Sequence, residues 1–144
     1  MTTHRETLRR LLLPLLLLPG LLLARPPKPV LPYDPKLLKQ EPPEMSMGEP
    51  SFKVSSRLRG MMGLDGVVLW VSADRQSLVA YEGSRLLWKT NVVAACPRIG
   101  GPREIRTIVS QSPVHDIFFG VGDNTCGEIE RKTGKVISTT GVKP

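Results

Sequence analysis

Residues 77–91 read SLVAYEGSRLLWKTN: an alternating run, a Gly-Ser break, and a second alternating run that ends on Trp-Lys-Thr-Asn. Two β-rich runs separated by two turn-forming residues specify a hairpin. The pattern continues on both sides. Upstream, GVVLWVSA opens at Gly66 and breaks at Asp74-Arg75-Gln76, so with RLLWKTNVV there are three consecutive runs. Downstream, past the loop CPRIGGPR, come EIRTIVS, a break at Gln111-Ser112-Pro113, HDIFFGV, a break at Gly122-Asp123-Asn124, TCGEIE, a break at Lys132-Thr133-Gly134, and KVISTT. Short β-branched and aromatic runs with turn signals between them predict an all-β fold. The expectation is an antiparallel meander of about seven short strands, with no helix outside the N-terminal segment. Strand alternation places Leu86, Trp88 and Thr90 on one face, toward the core, with Trp88 and Trp70 as its largest side chains.

The two halves of this region echo one another. VVLWVSAD matches IFFGVGD, LVAYE matches GEIE, and RLLWKT matches KVISTT, with Asp74 over Asp123. The spacing of about fifty residues is that of a four-stranded blade unit. Two unrelated meanders of short strands would also look alike, so repeat and coincidence both remain open at this point. Ala80, Tyr81, Gly83, Leu87, Trp88 and Lys89 in the first copy, and Glu128, Ile129, Thr133, Gly134, Lys135 and Val136 in the second, carry a further likeness. Over some 70 residues they resemble the repeat of the quinoprotein-type (pyrroloquinoline-quinone-like) β-propeller family. The resemblance implies two blade-like units. Propellers close with four to eight blades, so this length excludes a ring within one chain. Ser138 also stands where the first copy has Trp88. The resemblance therefore implies neither a bound quinone nor a dehydrogenase.

The N-terminal half has a different composition. Arg5, Glu6, Arg9 and Arg10 lead into LLLPLLLLPGLLLA, residues 11–24, which carry no charge. A basic region before an apolar one is the pattern of a secretory signal. Fourteen residues at 1.5 Å each reach roughly 21 Å, short of the ~30 Å hydrocarbon core. Residues 1–24 are read as a signal peptide, with an uncleaved N-terminal anchor as the alternative, because Leu22 sits before Ala24 where a small residue is wanted. Residues 25–50 hold eight prolines and read as an extended spacer. Residues 51–144 form the small β domain.

The formal charge of +7 falls to +5 without residues 1–24 and is scattered along the chain. PREIR, with Arg103 and Arg106, is too short for a nucleic-acid stripe, so no nucleic-acid partner is expected. In an exported chain Cys96 and Cys126 predict a disulfide, with two buried thiols as the alternative. Two Cys and His115 do not make a zinc site. His115 is the sole histidine beyond the signal and cannot build a triad by itself. Glu128 and Glu130 share a strand face that solvation explains, Gly120 and Gly122 precede no helix, and Asp123-Asn124 is turn chemistry. No catalytic, metal or cofactor-binding residue is assigned. The expected function is that of a secreted or periplasmic, non-enzymatic binding or interaction module. Its partner is an unidentified protein, or a second copy paired through sheet edges, and a membrane enters only if residues 1–24 are retained. A relative of propeller oxidoreductases that needs another chain to complete its site, and a membrane-tethered structural protein, are the alternatives.

Overall fold

A computed structural model describes residues 27–43, 51–110 and 115–141 of the chain. The signal reading of residues 1–24, and residues 25, 26 and 44–50 of the Pro-rich stretch, lie outside the described residues. Ten strands form: β1 (Leu38–Gln40), β2 (Ser51–Lys53), β3 (Gly60–Met62), β4 (Val67–Val71), β5 (Ser77–Glu82), β6 (Arg85–Asn91), β7 (Ile105–Val109), β8 (Ile117–Val121), β9 (Thr125–Ile129) and β10 (Val136–Gly141). They make two open five-stranded sheets, ordered β1-β3-β4-β5-β6 and β10-β9-β8-β7-β2. Every pairing is antiparallel except β1 with β3. The all-β reading holds, with more strands than the seven expected.

The three additional strands all precede Gly66, and each is only three residues long. A three-residue strand is too short to display a period of two, so its partner, not its own pattern, defines it. Residues 31–41 of the stretch read as a spacer pack onto the first sheet: Tyr33 is buried, and β1 adds to the edge of β3. Its prolines flank the strand and spare the ladder, as an edge position requires.

One core lies between the sheets. The first contributes Met61, Leu69, Val71, Leu78, Ala80 and Trp88, and the second contributes Phe52, Ile105, Ile108, Ile117, Phe119, Val121 and Ile129. A smaller cluster of Tyr33, Val68, Trp70 and Val79 lies on the other face of the first sheet. Trp70 and Trp88 are thus both buried, but on opposite faces of one sheet.

Each sheet is a four-strand meander, β3–β6 or β7–β10, with one earlier strand added at its leading edge. The two meanders share a register. Trp70 lies opposite Val79 as Phe119 lies opposite Gly127; Leu69 opposite Ala80 as Phe118 opposite Glu128; Val68 opposite Tyr81 as Ile117 opposite Ile129. The next ladder agrees as well. Tyr81–Leu86 and Ala80–Trp88 correspond to Ile129–Val136 and Glu128–Ser138, so Leu87 and Ile137 are the bulged residues at the same step. These are the positions that the echo aligns.

Equivalent positions nevertheless face opposite ways. Leu69, Leu78, Ala80 and Trp88 point into the shared core, whereas their counterparts Phe118, Cys126, Glu128 and Ser138 lie on the outer face of the second sheet. Val68, Trp70, Val79 and Tyr81 lie on the outer face of the first sheet, whereas Ile117, Phe119, Gly127 and Ile129 point inward. Two sheets related by a two-fold axis would bury the same positions from both. Here the front of one unit rests on the back of the next, a head-to-tail stack.

The structure corrects three further expectations. The bulge at Leu87 turns Leu86 away from the Trp88 face, and Leu86 is 54% exposed. The run RLLWKTNVV ends as a strand at Asn91, whose side chain accepts a hydrogen bond from Ala94 N at 2.8 Å and caps the one-turn helix α1 (Val92–Ala95). The cysteines are not bonded to each other: Cys96 is buried in the core and Cys126 is exposed. Alternation along β9 explains the separation, since Thr125, Gly127 and Ile129 point inward and Cys126 outward.

The thiols provide a direct check. Burial pushes the Cys96 thiol pKa up, and its Sγ donates to Val92 O at 3.2 Å. A thiolate-directed reagent is expected to label only Cys126 in the folded protein and both residues after unfolding. Reductant should leave the melting temperature unchanged, whereas a disulfide of ~3 kcal/mol would lower it by more than about 10 °C on reduction. A drop of that size, or absence of native-state labelling, would restore the disulfide.

Candidate functional site

The residues that raised chemical possibilities in the sequence are dispersed. His115 is exposed two residues before β8. Glu128 accepts from Ser138 Oγ at 3.5 Å on the outer face of the second sheet, and Glu130 accepts from Thr133 Oγ1 within its own turn. Asn124 Oδ1 accepts from Gly100 N at 2.8 Å, while Asp123 lies 4.0 Å from the Arg106 guanidinium. Asp74, the counterpart of Asp123, accepts from the Ser72 hydroxyl and from Gln76 N. Those two donors hold the Asp74 carboxyl below its ordinary value of 3.8. Its contribution to the turn is therefore complete above that value and is lost as pH falls through the lower folded one. Among the described residues no group of three or more His, Cys, Asp and Glu is placed to hold a metal ion.

What the sequence did not reveal is a buried ionic cluster at one end of the two sheets. Arg131, in the turn after β9, points between the sheets, and its side chain is 6% exposed. Its Nε and Nη2 donate to the two Asp65 oxygens at 3.1 and 3.2 Å, and its Nη1 donates to Ser110 Oγ at 2.7 Å. Ser110 donates in turn to Glu41 Oε1 at 2.9 Å, and Glu41 Oε2 accepts from Leu64 N at 3.1 Å and lies 3.7 Å from Arg131. The cluster joins the residue after β1, the β3–β4 turn, the end of β7 and the turn after β9. Each group is paired, and the Glu41 side chain is fully buried. Such an arrangement clamps the chain segments that it joins, because separating them would leave buried charges without their partners.

The two outer faces differ in their cover. The outer face of the first sheet is covered by residues 31–38, with the Tyr33 ring 6.1 Å from that of Trp70 and 5.6 Å from that of Tyr81. Arg59 flanks this cover, its guanidinium 5.1 Å from the Trp70 ring and donating to Val71 O at 2.7 Å. The outer face of the second sheet has no such cover among the described residues. It presents Phe118, which is 49% exposed, with Cys126, Glu128, Ser138 and Thr140. Cys126 Sγ and Thr140 Oγ1 are 2.9 Å apart across β9 and β10. Thr107 Oγ1 occupies the space that a side chain at Gly120 would need, so the Thr107 side chain fills this face where β8 has no side chain of its own. At the β2–β7 margin of this face an open groove of about 450 Å³ is lined by Lys53, Val54, Arg106, Thr107, Gly122 and Asp123.

A Phe-Phe pair in an alternating run was the available clue, since Phe118 and Phe119 must face opposite ways. Which of the two is covered depends on the stacking of the sheets. Compared with family models, with curated proteins and with solved structures, the chain gives no significant match.

Proposed function

We propose that the protein is an exported interaction module built from two blade-like units, and that it binds a protein partner through the outer face of its second sheet. The observation that carries this reading is the asymmetry of the two outer faces. Residues 31–38 cover the Trp70 and Tyr81 part of one face, whereas among the described residues nothing covers the half-exposed Phe118 in the middle of the other, beside a groove with both charge signs. A single large apolar side chain inside a polar rim is the composition of a transient recognition surface. The common register and the matching bulges support the reading of two blade-like units. Export rests on residues 1–24; among the described residues no helix is long and apolar enough to cross a membrane.

The test uses Cys126 as a built-in probe at the centre of the face. The full chain, produced with its own N-terminus in secreting cells, is labelled at Cys126 with a thiol-reactive photo-crosslinker. The expected product is a discrete adduct that disappears with Phe118→Lys and persists with Leu64→Lys, a control at another exposed apolar residue. An adduct indifferent to Phe118, or no adduct, would refute the surface. Intact mass of the same product reports whether residues 1–24 are removed.

A further inference from the structure

We infer that the outer face of the first sheet is a second docking surface, masked in cis by residues 31–38, and that its partner is the outer face of the second sheet, uncovered among the described residues, of another copy of this chain. The inference rests on the two-unit reading above. It starts from the interface already present inside the molecule. There the inward positions of the second unit, Ile117, Phe119, Gly127 and Ile129, pack on the inward face of the first. The same four register positions in the first unit are Val68, Trp70, Val79 and Tyr81, and they point outward. A head-to-tail stack repeats its contact for as long as faces remain open. In the first unit the repeat is stopped by the N-terminal segment: Tyr33 lies against Trp70 and Tyr81, and Leu31, Leu37 and Leu38 pack around them.

The receiving face is the outer face of the second sheet, whose Phe118, Cys126, Glu128 and Ser138 occupy the positions of Leu69, Leu78, Ala80 and Trp88. It is more polar than its counterpart, as the outer face of a terminal repeat is. Association through it is therefore weaker than the contact inside the chain, and depends on concentration. The mask is held unevenly. Residues 37–41 are tied to the sheet by the β1–β3 pairing, by Arg59 N donating to Leu37 O, by Glu41 N donating to Met62 O, and by the buried Glu41 side chain. The contact of Tyr33 rests on ring packing. Release of residues 31–36 would uncover Trp70 and Tyr81 while β1 stays in place.

Full-length Tyr33→Ser is the test, followed by analytical ultracentrifugation over a hundredfold concentration range. The weight-average mass is expected to rise roughly twofold or more at the highest concentration, while wild type stays monomeric. Phe118→Lys in the same chain should return it to a monomer. Added wild-type protein should shorten the assemblies, because each wild-type chain offers a receiving face but no open first-sheet face. A folded Tyr33→Ser monomer at every concentration overturns the inference, and so does assembly indifferent to Phe118→Lys or to wild type. Should Tyr33→Ser lack a cooperative melt, Leu31→Ser, which removes a partly buried contact in the segment that is released, carries the same readouts. A positive crosslink at Cys126 together with a monomeric Tyr33→Ser would leave the interaction module standing and remove only this partner.

Discussion

Trp88→Ala is expected to destabilise the protein by at least about 3 kcal/mol, the scale for truncating a large buried side chain. Three contacts argue for the upper part of that range. The indole lies in the shared core at 8% exposure, and its Nε1 donates to Arg131 O at 2.8 Å, across to the turn after β9. Gly134 sits against the ring with φ 71°, so close that any side chain there would collide with the indole. Thr90, on the same face of β6, donates to Gly134 O. Truncation would open a cavity and leave a carbonyl without its donor at the joint between the two units. Trp88→Phe retains most of the packing and loses the donor, so about 1–2 kcal/mol is expected. Urea unfolding monitored by far-ultraviolet circular dichroism measures both. A Trp88→Ala midpoint equal to wild type would mean that β6 does not face the core.

Arg131→Ala is expected to cost about 3–5 kcal/mol, because it leaves buried carboxylates without their cation. Glu41 is the sensitive partner: its side chain is fully buried and would keep only the Ser110 hydroxyl and Leu64 N. Asp65 is about a quarter exposed and would be rehydrated, so its share of the loss is small. The double variant Arg131→Met/Glu41→Gln removes both buried charges at once and should recover part of the stability. Thermal melts of the two variants decide the matter. A loss below ~1 kcal/mol for the single variant would show that solvent reaches the cluster. Because the pairs are buried, raising salt should change the wild-type stability little, unlike a set of surface ion pairs.

The sheet-forming region was readable to a useful depth. The runs that became β4 to β10 each have at least five residues, rich in β-branched and aromatic side chains and bounded by turn residues, so their existence and their turns followed from local chemistry. The aligned Asp74 and Asp123 marked equivalent turns, and the echo paired strands that are equivalent in register. The facing of individual residues was less accessible. One bulged residue reverses everything beyond it, and Leu87 does this to Leu86 without any signal in RLLWKTN. Cys126 shows the same limit: its type predicted a bridge, while its place in β9 points it to solvent.

The candidate surfaces were hardly readable at all. Tyr33 lies among prolines in a stretch whose composition describes a linker, and its burial depends on Trp70 and Tyr81, some forty and fifty residues later. Glu41, Asp65, Ser110 and Arg131 are ordinary polar residues in a linear reading, and they become a buried cluster only where four chain segments meet. Local sequence was sufficient for the all-β class, the hairpin at residues 77–91 and the alignment of strands that share a register in the two sheets. Short-range alternation and turn propensity act within a few residues and leave a visible pattern. The head-to-tail stacking, the cover over one sheet and the half-exposure of Phe118 on the other depend on which surfaces are removed from water together. That is a property of distant segments in contact, and no window of the sequence contains it.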